Sequence, residues 1–181
     1  MEMTKFKCQD AVETIQSFIS NKKHGFAYCT HNRKSVLIAQ PDAVDRNLCA
    51  ELGYDIMETM HTGGVVVVGE GDVSVIHFGD IGNRTMLDFA EYLVEQYKKR
   101  GLNASFDGND VLIDGYKISG LSATPYGHIQ YSTIHIGVNT NLDDIRVICT
   151  KPMTKVPKGL SDYGITTDDV EQMLLDWRED E

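Results

Sequence analysis

Residues 108–120 read G-N-D-V-L-I-D-G-Y-K-I-S-G, and the placing of turn formers between apolar runs constrains how everything around them can fold. Asp114-Gly115 favours a two-residue type I′ turn between runs rich in Val, Ile and Tyr, so a β-hairpin is expected. A two-residue loop sets the register, with Ile113 opposite Tyr116, Leu112 opposite Lys117, Val111 opposite Ile118 and Asp110 opposite Ser119. Alternation then puts Val111, Ile113, Tyr116 and Ile118 on a core face. Asp110, Lys117 and Ser119 share the other face, where only Leu112 is apolar. Gly108 and Gly120 flank that polar face and leave room for another backbone or a ligand. A hairpin whose polar face simply meets water satisfies the same pattern, so the rest of the chain must decide.

Working outward, residues 84–100 carry Leu87, Ala90, Leu93, Val94 and Tyr97 at helical spacing, with basic residues near the end and Gly101 as a stop. Residues 133–138 alternate Ile134, Ile136 and Val138 against Thr133, His135 and Gly137, a half-buried strand whose polar face can line a pocket. Upstream, Asp10 and Glu13 resemble a capping box for a helix over 10–22, and 26–30 and 35–39 read as short strands around a polar turn. Asp42 is expected to cap a second helix with Val44, Leu48, Cys49 and Leu52 on one face and Gly53 past its end. A strand over 55–60 leads into Met60-His61-Thr62-Gly63-Gly64. The four valines 65–68 suit a strand buried on both faces, and Gly69-Glu70-Gly71-Asp72 a tight turn into a partner strand. A short helix over 141–148, a loop with Lys151, Lys155 and Lys158, and a helix over 167–177 complete the chain. Strands grouped with occasional helices indicate an α+β fold of mixed, largely antiparallel sheets packed with helices.

A length of 181 residues suits one domain, 1–181, with a real core. No apolar run reaches about 18 residues and no secretory leader is recognisable, so a cytoplasmic location without membrane association is expected. A net charge of −10 disfavours nucleic acid and anionic membranes, because phosphate contacts need a basic surface. Cys8, Cys29, Cys49 and Cys149 form no C-x-x-C pair, and the histidines show no H-x-H or H-E-x-x-H spacing. Neither a disulfide framework nor a transition-metal site is expected.

The hairpin, of the form N-D-(apolar run)-G-x-K-I-(S/A)-G, resembles the lysine hairpin of the biotin and lipoate protein ligase superfamily, whose members attach those cofactors to a lysine on a carrier domain. Three weaker landmarks follow in the family's order. Val36-Leu37-Ile38-Ala39-Gln40-Pro41 resembles the strand ending in glutamine beside the acyl pocket. Thr62-Gly63-Gly64 with the valine strand resembles the glycine-rich ligand loop. Residues 134–142 resemble the following strand, with Ile136-Gly137-Val138-Asn139 nearer the biotin ligase version. The nearest likeness is to a small stand-alone lipoate protein ligase.

This resemblance implies a class II aminoacyl-tRNA synthetase/biotin ligase-like catalytic domain with Lys117 as the catalytic residue. It implies Gly63, Gly64, His61, Gln40, Ser119, Gly120, Thr133 and His135 around the acid, and Asn109, Asp110 and Lys117 around ATP. Mg²⁺ would accompany ATP, the substrate would be lipoate or a related acid such as octanoate or biotin, and the protein partner a lysine-bearing lipoyl domain. A lysine suits the chemistry. Bringing a carboxylate to ~4 Å from the α-phosphate of ATP costs about 4 kcal/mol at an effective dielectric near 20, and an ammonium between them cancels most of that.

The departures are specific. Met60 and His61 stand where lipoate ligases carry paired arginines, and Val65 where a third glycine belongs; imidazole does not replace a guanidinium clamp in kind. The G-R-G-R-type loop of biotin ligases is missing. Ser105-Phe106 occupies the place where one class of octanoyl transferase has its cysteine, and Cys149 has no evident basic partner. A lipoate ligase, a biotin ligase, a cysteine-dependent octanoyl transferase and a noncatalytic small-acid-binding or partner-binding member all stay open on the sequence. So do the roles of His61 at a phosphate and of Lys151, Lys155 and Lys158 at a triphosphate or an acidic carrier, against ordinary solvated loops.

Overall fold

The computed structural model describes residues 5–8, 17, 24–58 and 64–177. The expected first helix over 10–22, His61 and Gly63 lie outside the described residues, apart from Ser17. A seven-stranded sheet runs in the order β1-β2-β6-β10-β9-β8-β7 and a three-stranded sheet in the order β4-β3-β5. The large sheet comprises β1 (Lys5–Cys8), β2 (Gly25–Thr30), β6 (Val73–Asp80), β7 (Ala104–Asp107), β8 (Asp110–Ile113), β9 (Tyr116–Tyr126) and β10 (Ile129–Ile136). Among the described residues, only its β1/β2 pair is parallel. The small sheet comprises β3 (Ser35–Ile38), β4 (Asp55–Glu58) and β5 (Val65–Val68), with β3/β4 parallel and β3/β5 antiparallel. Mixed, largely antiparallel sheets with helices are what the sequence predicts.

One face of the large sheet carries the main core. α2 (Thr85–Lys99) buries Phe89, Leu93 and Tyr97 there, and α4 (Thr167–Asp176) buries Val170, Met173 and Leu174. Trp177, just past α4, packs on Phe26 of β2 and Phe89 of α2 at ring-centroid distances of 5.3 and 5.2 Å. Each such aromatic contributes about 1.5–3 kcal/mol by leaving water. The α4 start is a capping box in which Thr166 and Asp169 bond each other's backbone N–H. α1 (Arg46–Glu51) and α3 (Leu142–Ile148) pack on the small sheet around Val36, Ile38, Cys49 and Ile148.

Several local expectations are corrected. Asp45, rather than Asp42, caps α1, accepting from the Asn47 and Leu48 N–H groups at 2.9 and 3.0 Å; Val44 precedes the helix. Gly53 does take the left-handed conformation, φ 78°, past its end. The valine strand β5 is an edge strand, so only Val68 is buried and Val65 to Val67 are half-buried. The Gly69-to-Asp72 turn is not a hairpin. It carries the chain from β5 in the small sheet to β6 in the large one, and the polar turn after β2 makes the reverse crossing.

Asp72 holds that crossing together. Its fully buried carboxylate accepts from Gly69 N–H at 2.7 Å through Oδ2 and from Val138 and Asn139 N–H at 2.7 and 2.9 Å through Oδ1. His135 Nε2 stands 3.3 Å from Oδ2, without hydrogen-bond alignment. A side chain at Gly71 (φ +88°) would strike the Asn139 amide at 2.7 Å and the Thr167 hydroxyl at 3.0 Å, so the crossing needs glycine there. Among the described residues no helix is long and apolar enough to cross a membrane.

Burial alone raises the Asp72 carboxyl, but His135 and the Gly69 and Asn139 N–H groups more than offset it, leaving the carboxyl below its ordinary range. A depressed folded-state value means stabilisation that is present above the unfolded value of about 3.9 and is lost as pH falls below it. Asp72→Asn is therefore expected to lower unfolding free energy at neutral pH by about 3 kcal/mol, since a buried charge acceptor is lost. Urea titrations of the variant should also show a shallower loss of stability than wild type as pH falls from about 5 to 3.

Candidate active site

The hairpin forms as expected at its tip. Asp114 (φ 53°) and Gly115 (φ 82°) are both left-handed, the signature of a type I′ turn, and Ile113 faces Tyr116 and Leu112 faces Lys117. Beyond that pair Ile118 is inserted as a β-bulge, so Val111 meets Ser119 and Asp110 meets Gly120. The single extra residue changes the polar face. Asp110, Lys117 and Gly120 share it, whereas Ser119, expected beside Lys117, follows Val111 onto the core side, where it is 2% exposed and its Oγ has no partner among the described residues.

The bulge lays the Lys117 ammonium across Gly120. Lys117 Nζ is 2.8 Å from Asp110 Oδ1, and a Cβ at Gly120 would meet Nζ at 3.1 Å and Cε at 3.2 Å. The loop of three lysines runs alongside: Lys117 N–H donates to Val156 O at 2.9 Å and Lys158 N–H donates to Lys117 O at 3.0 Å. The three amines part company. Lys155 Nζ reaches Asp110 Oδ2 and Asp107 Oδ2, each at 3.0 Å; Lys151 Nζ donates to Gln40 Oε1 at 2.8 Å; Lys158 Nζ lies over the Tyr163 and Tyr116 rings at 4.4 and 5.2 Å. Burial by itself raises the Asp110 carboxyl, but hydrogen bonds from Lys117 and Lys155 more than offset it and hold it below its ordinary range. Bonds to Asp107 and Asp110 raise Lys155 in turn.

Cross-strand register extends this polar corner along the sheet face away from α2. Gly120 lies beside His135, which lies beside Ser74; Ser122 lies beside Thr133, which lies beside Ile76; Thr124 lies beside Tyr131, which lies beside Phe78. The Ser122 and Thr133 hydroxyls are 2.8 Å apart. Past them comes a buried apolar cluster of Ala27, Ile76, Phe78, Ile129 and Tyr131, with the Phe78 and Tyr131 rings 5.0 Å apart. One face therefore grades from ammonium through hydroxyls to apolar carbon. His135 is held from behind: its Nδ1 is 3.4 Å from Ser74 Oγ, which is 2.8 Å from His31 Nε2.

Thr133 and His135 are half-buried while Ile134 and Ile136 are buried on the α2 side, the alternation that the sequence predicts. Gln40 and Gly64 come to the same end of the small sheet, where Ile38 pairs with Val65. Asn109 is exposed in the turn before β8, and its carbonyl accepts from Leu121 N–H at 2.6 Å. Sequence reasoning missed Ser122, Ser74 and the joint hold of Lys117 and Lys155 on Asp110. The signal available for Ser122 was its place two residues after Gly120 on a strand that the sequence reading stopped too early. Burial, aided by the Cys49 thiol, pushes the Cys149 thiol up, which disfavours a thiolate nucleophile.

The sequence model of the lipoyl protein ligase A/B catalytic domain matches residues 13–176, and the chain belongs to that family. Among solved structures, a bi-partite lipoate protein ligase with its E2 lipoyl domain from Thermoplasma acidophilum is 21% identical over 99% of this chain and 87% of its own, with a TM-score of 0.75. A putative lipoate protein ligase from T. acidophilum with bound lipoic acid is 19% identical over 99% and 89%, with a TM-score of 0.74. Lipoate-protein ligase A bound with ATP is 20% identical over 99% and 89%, again at 0.74. A biotin protein ligase from Aquifex aeolicus with biotin is more distant, 15% identical over 97% and 67% at 0.54. Comparison with curated proteins finds no match.

Gly120→Ala is expected to push the Lys117 ammonium off its present seat by a few tenths of an ångström, because the added methyl lies within 3.4 Å of both Lys117 and Asp110 Oδ1. The lysine end is flexible, so the unfolding free energy should change by less than about 1 kcal/mol. A crystal structure of the variant with Lys117 still 2.8 Å from Asp110, and no backbone shift, would contradict this packing account.

Proposed function

We propose that this protein is an ATP-dependent ligase that activates lipoate or octanoate as its acyl-adenylate and transfers the acyl group to a lysine of a lipoyl carrier domain. The observation that carries the reading is the gradient on one sheet face, from the Lys117 ammonium through the Ser122 and Thr133 hydroxyls to the buried apolar cluster around Phe78 and Tyr131. A short carboxylic acid with an apolar tail has the same gradient. Laid along this face, its carboxylate meets Lys117 while its tail runs toward the buried apolar cluster, and each methylene of the tail that leaves water contributes about 0.8 kcal/mol. The names of the family and of its solved relatives, with lipoic acid, ATP and a lipoyl domain among them, support the same substrates and partner.

Lys117 has an electrostatic role in this reading. Its ammonium reduces repulsion between the acid's carboxylate and the α-phosphate, and then stabilises charge growing on the phosphate oxygens. The donors present suit an anion at this corner, since Lys117 and Lys155 both face it. Among the described residues no group of three or more His, Cys, Asp or Glu could hold a metal ion. A Mg²⁺ arriving with ATP would rest mainly on phosphate and water, as that ion commonly does. Asp110 has both oxygens engaged by lysines, so it orients the ammonium groups. In the transfer step the carrier lysine attacks the mixed anhydride and AMP leaves.

Pyrophosphate release with ATP, Mg²⁺ and each of lipoate, octanoate and biotin tests the reading. Lipoate or octanoate should support release and biotin should not, and Lys117→Met should slow it by about 10²–10³-fold, the usual effect of removing one transition-state charge contact. Release with biotin alone would make the protein a biotin ligase. Absence of release with any acid, together with labelling of the carrier from an octanoyl thioester, would replace adenylation by direct acyl transfer.

A further inference from the structure

Asp110 presents one carboxylate to two ammonium groups, Lys117 at 2.8 Å and Lys155 at 3.0 Å, and Lys155 is tied again to Asp107 at 3.0 Å. The four charges sum to zero, but they do not act equally. The Asp107 side chain is 66% exposed, against 17% for Asp110 and 27% for Lys155, so water screens Asp107 most. The inner three groups, Lys117, Asp110 and Lys155, therefore act on this sheet face as a net single positive charge. Without Lys155 the inner pair is Lys117 and Asp110, and it is neutral.

We propose that Lys155 is a positioning residue for acid activation, taking up Asp110 Oδ2 so that Asp110 does not cancel the charge Lys117 presents to an acid on this sheet face. This rests on the ligase reading above. It explains why a carboxylate can sit against the working ammonium at all: Asp110 fixes where Lys117 points, and Lys155 offsets the cost in charge. Lys155 is placed by backbone. Val156 O and Lys158 N bracket the main chain of Lys117, so the strap stays docked on β9 when the Lys155 ammonium is removed. Of the other lysines on this loop, Lys151 is directed to Gln40 and Lys158 to two tyrosine rings, so that of the three it is Lys155 that reaches Asp110, the carboxylate holding Lys117.

Lys155→Met, Lys155→Gln and Lys155→Arg test this with two readouts on the full chain. The first is kcat/KM for pyrophosphate release with lipoate or octanoate. The second is peptide-resolved labelling of the Lys117 amine by acetic anhydride at fixed pH, which does not require activity. Both neutral variants should lower kcat/KM by about tenfold to a hundredfold, as expected for losing one unit charge several ångströms from a partly screened anion. They should also slow Lys117 labelling several-fold, because an Asp110 left to Lys117 alone keeps that amine engaged and less open to the reagent. Lys155→Arg should recover both. Wild-type kcat/KM in the neutral variants overturns the inference, as does lowered kcat/KM with Lys117 labelling unchanged or faster, which marks a merely structural loop. If wild type itself releases no pyrophosphate, the ligase reading falls; if wild type is active and the neutral variants match it, the Lys155 inference alone falls.

Discussion

The carboxylate of Asp72 is a small group with a large structural charge. Two sheets of different size meet where the chain crosses between them, and at that junction Gly69, Val138 and Asn139 each turn a backbone N–H inward. Buried N–H groups without acceptors would each cost free energy on the order of a lost hydrogen bond. One fully buried carboxylate serves all three. Removing a carboxylate from water is itself unfavourable, and the charge-assisted bonds with His135 close by offset that cost. The crossing and the end of β10 are thereby joined, which sets the small sheet against the large one.

The polar corner around Lys117 depends on that junction through strand register. His135 touches the Asp72 site at one end and pairs with Gly120 across β9, and Gly120 is where the Lys117 ammonium rests. A rigid β-sheet transmits position well, because each pairing places neighbouring side chains within about 5 Å of one another on a common face. The polar corner, the hydroxyl pair and the apolar cluster are thus successive rungs of one sheet face. Chemical function follows from which rung carries which group.

Much of this was readable in residue pattern. The type I′ turn at Asp114-Gly115, the helix over Thr85–Lys99, the αL glycine at Gly53 and the alternation of Thr133 and His135 against Ile134 and Ile136 all appear as expected. These are local features, governed by φ preferences and by periods of two or 3.6 residues. The bulge at Ile118 was not readable, because Ile118 satisfies core patterning whether it is paired or inserted. Its consequence was non-local: Ser119 left the Lys117 face and Gly120 joined it. The β5-to-β6 turn likewise looked like a hairpin, since glycines permit a reversal but do not say whether the next strand returns to its neighbour or crosses to another sheet.

By itself, then, the amino-acid order determined the α+β class, the hairpin, its lysine and a likeness to biotin and lipoate ligases, because turn chemistry and apolar period are properties of adjacent residues. The tertiary structure alone decided that Asp110 is shared between Lys117 and Lys155, that Gln40 holds Lys151, and that Ser122 faces Thr133. Lys155 and Asp110 are 45 positions apart in the chain. Only the packing of one strap against one strand brings their charges to 3.0 Å, a distance at which Coulomb attraction outweighs solvent separation.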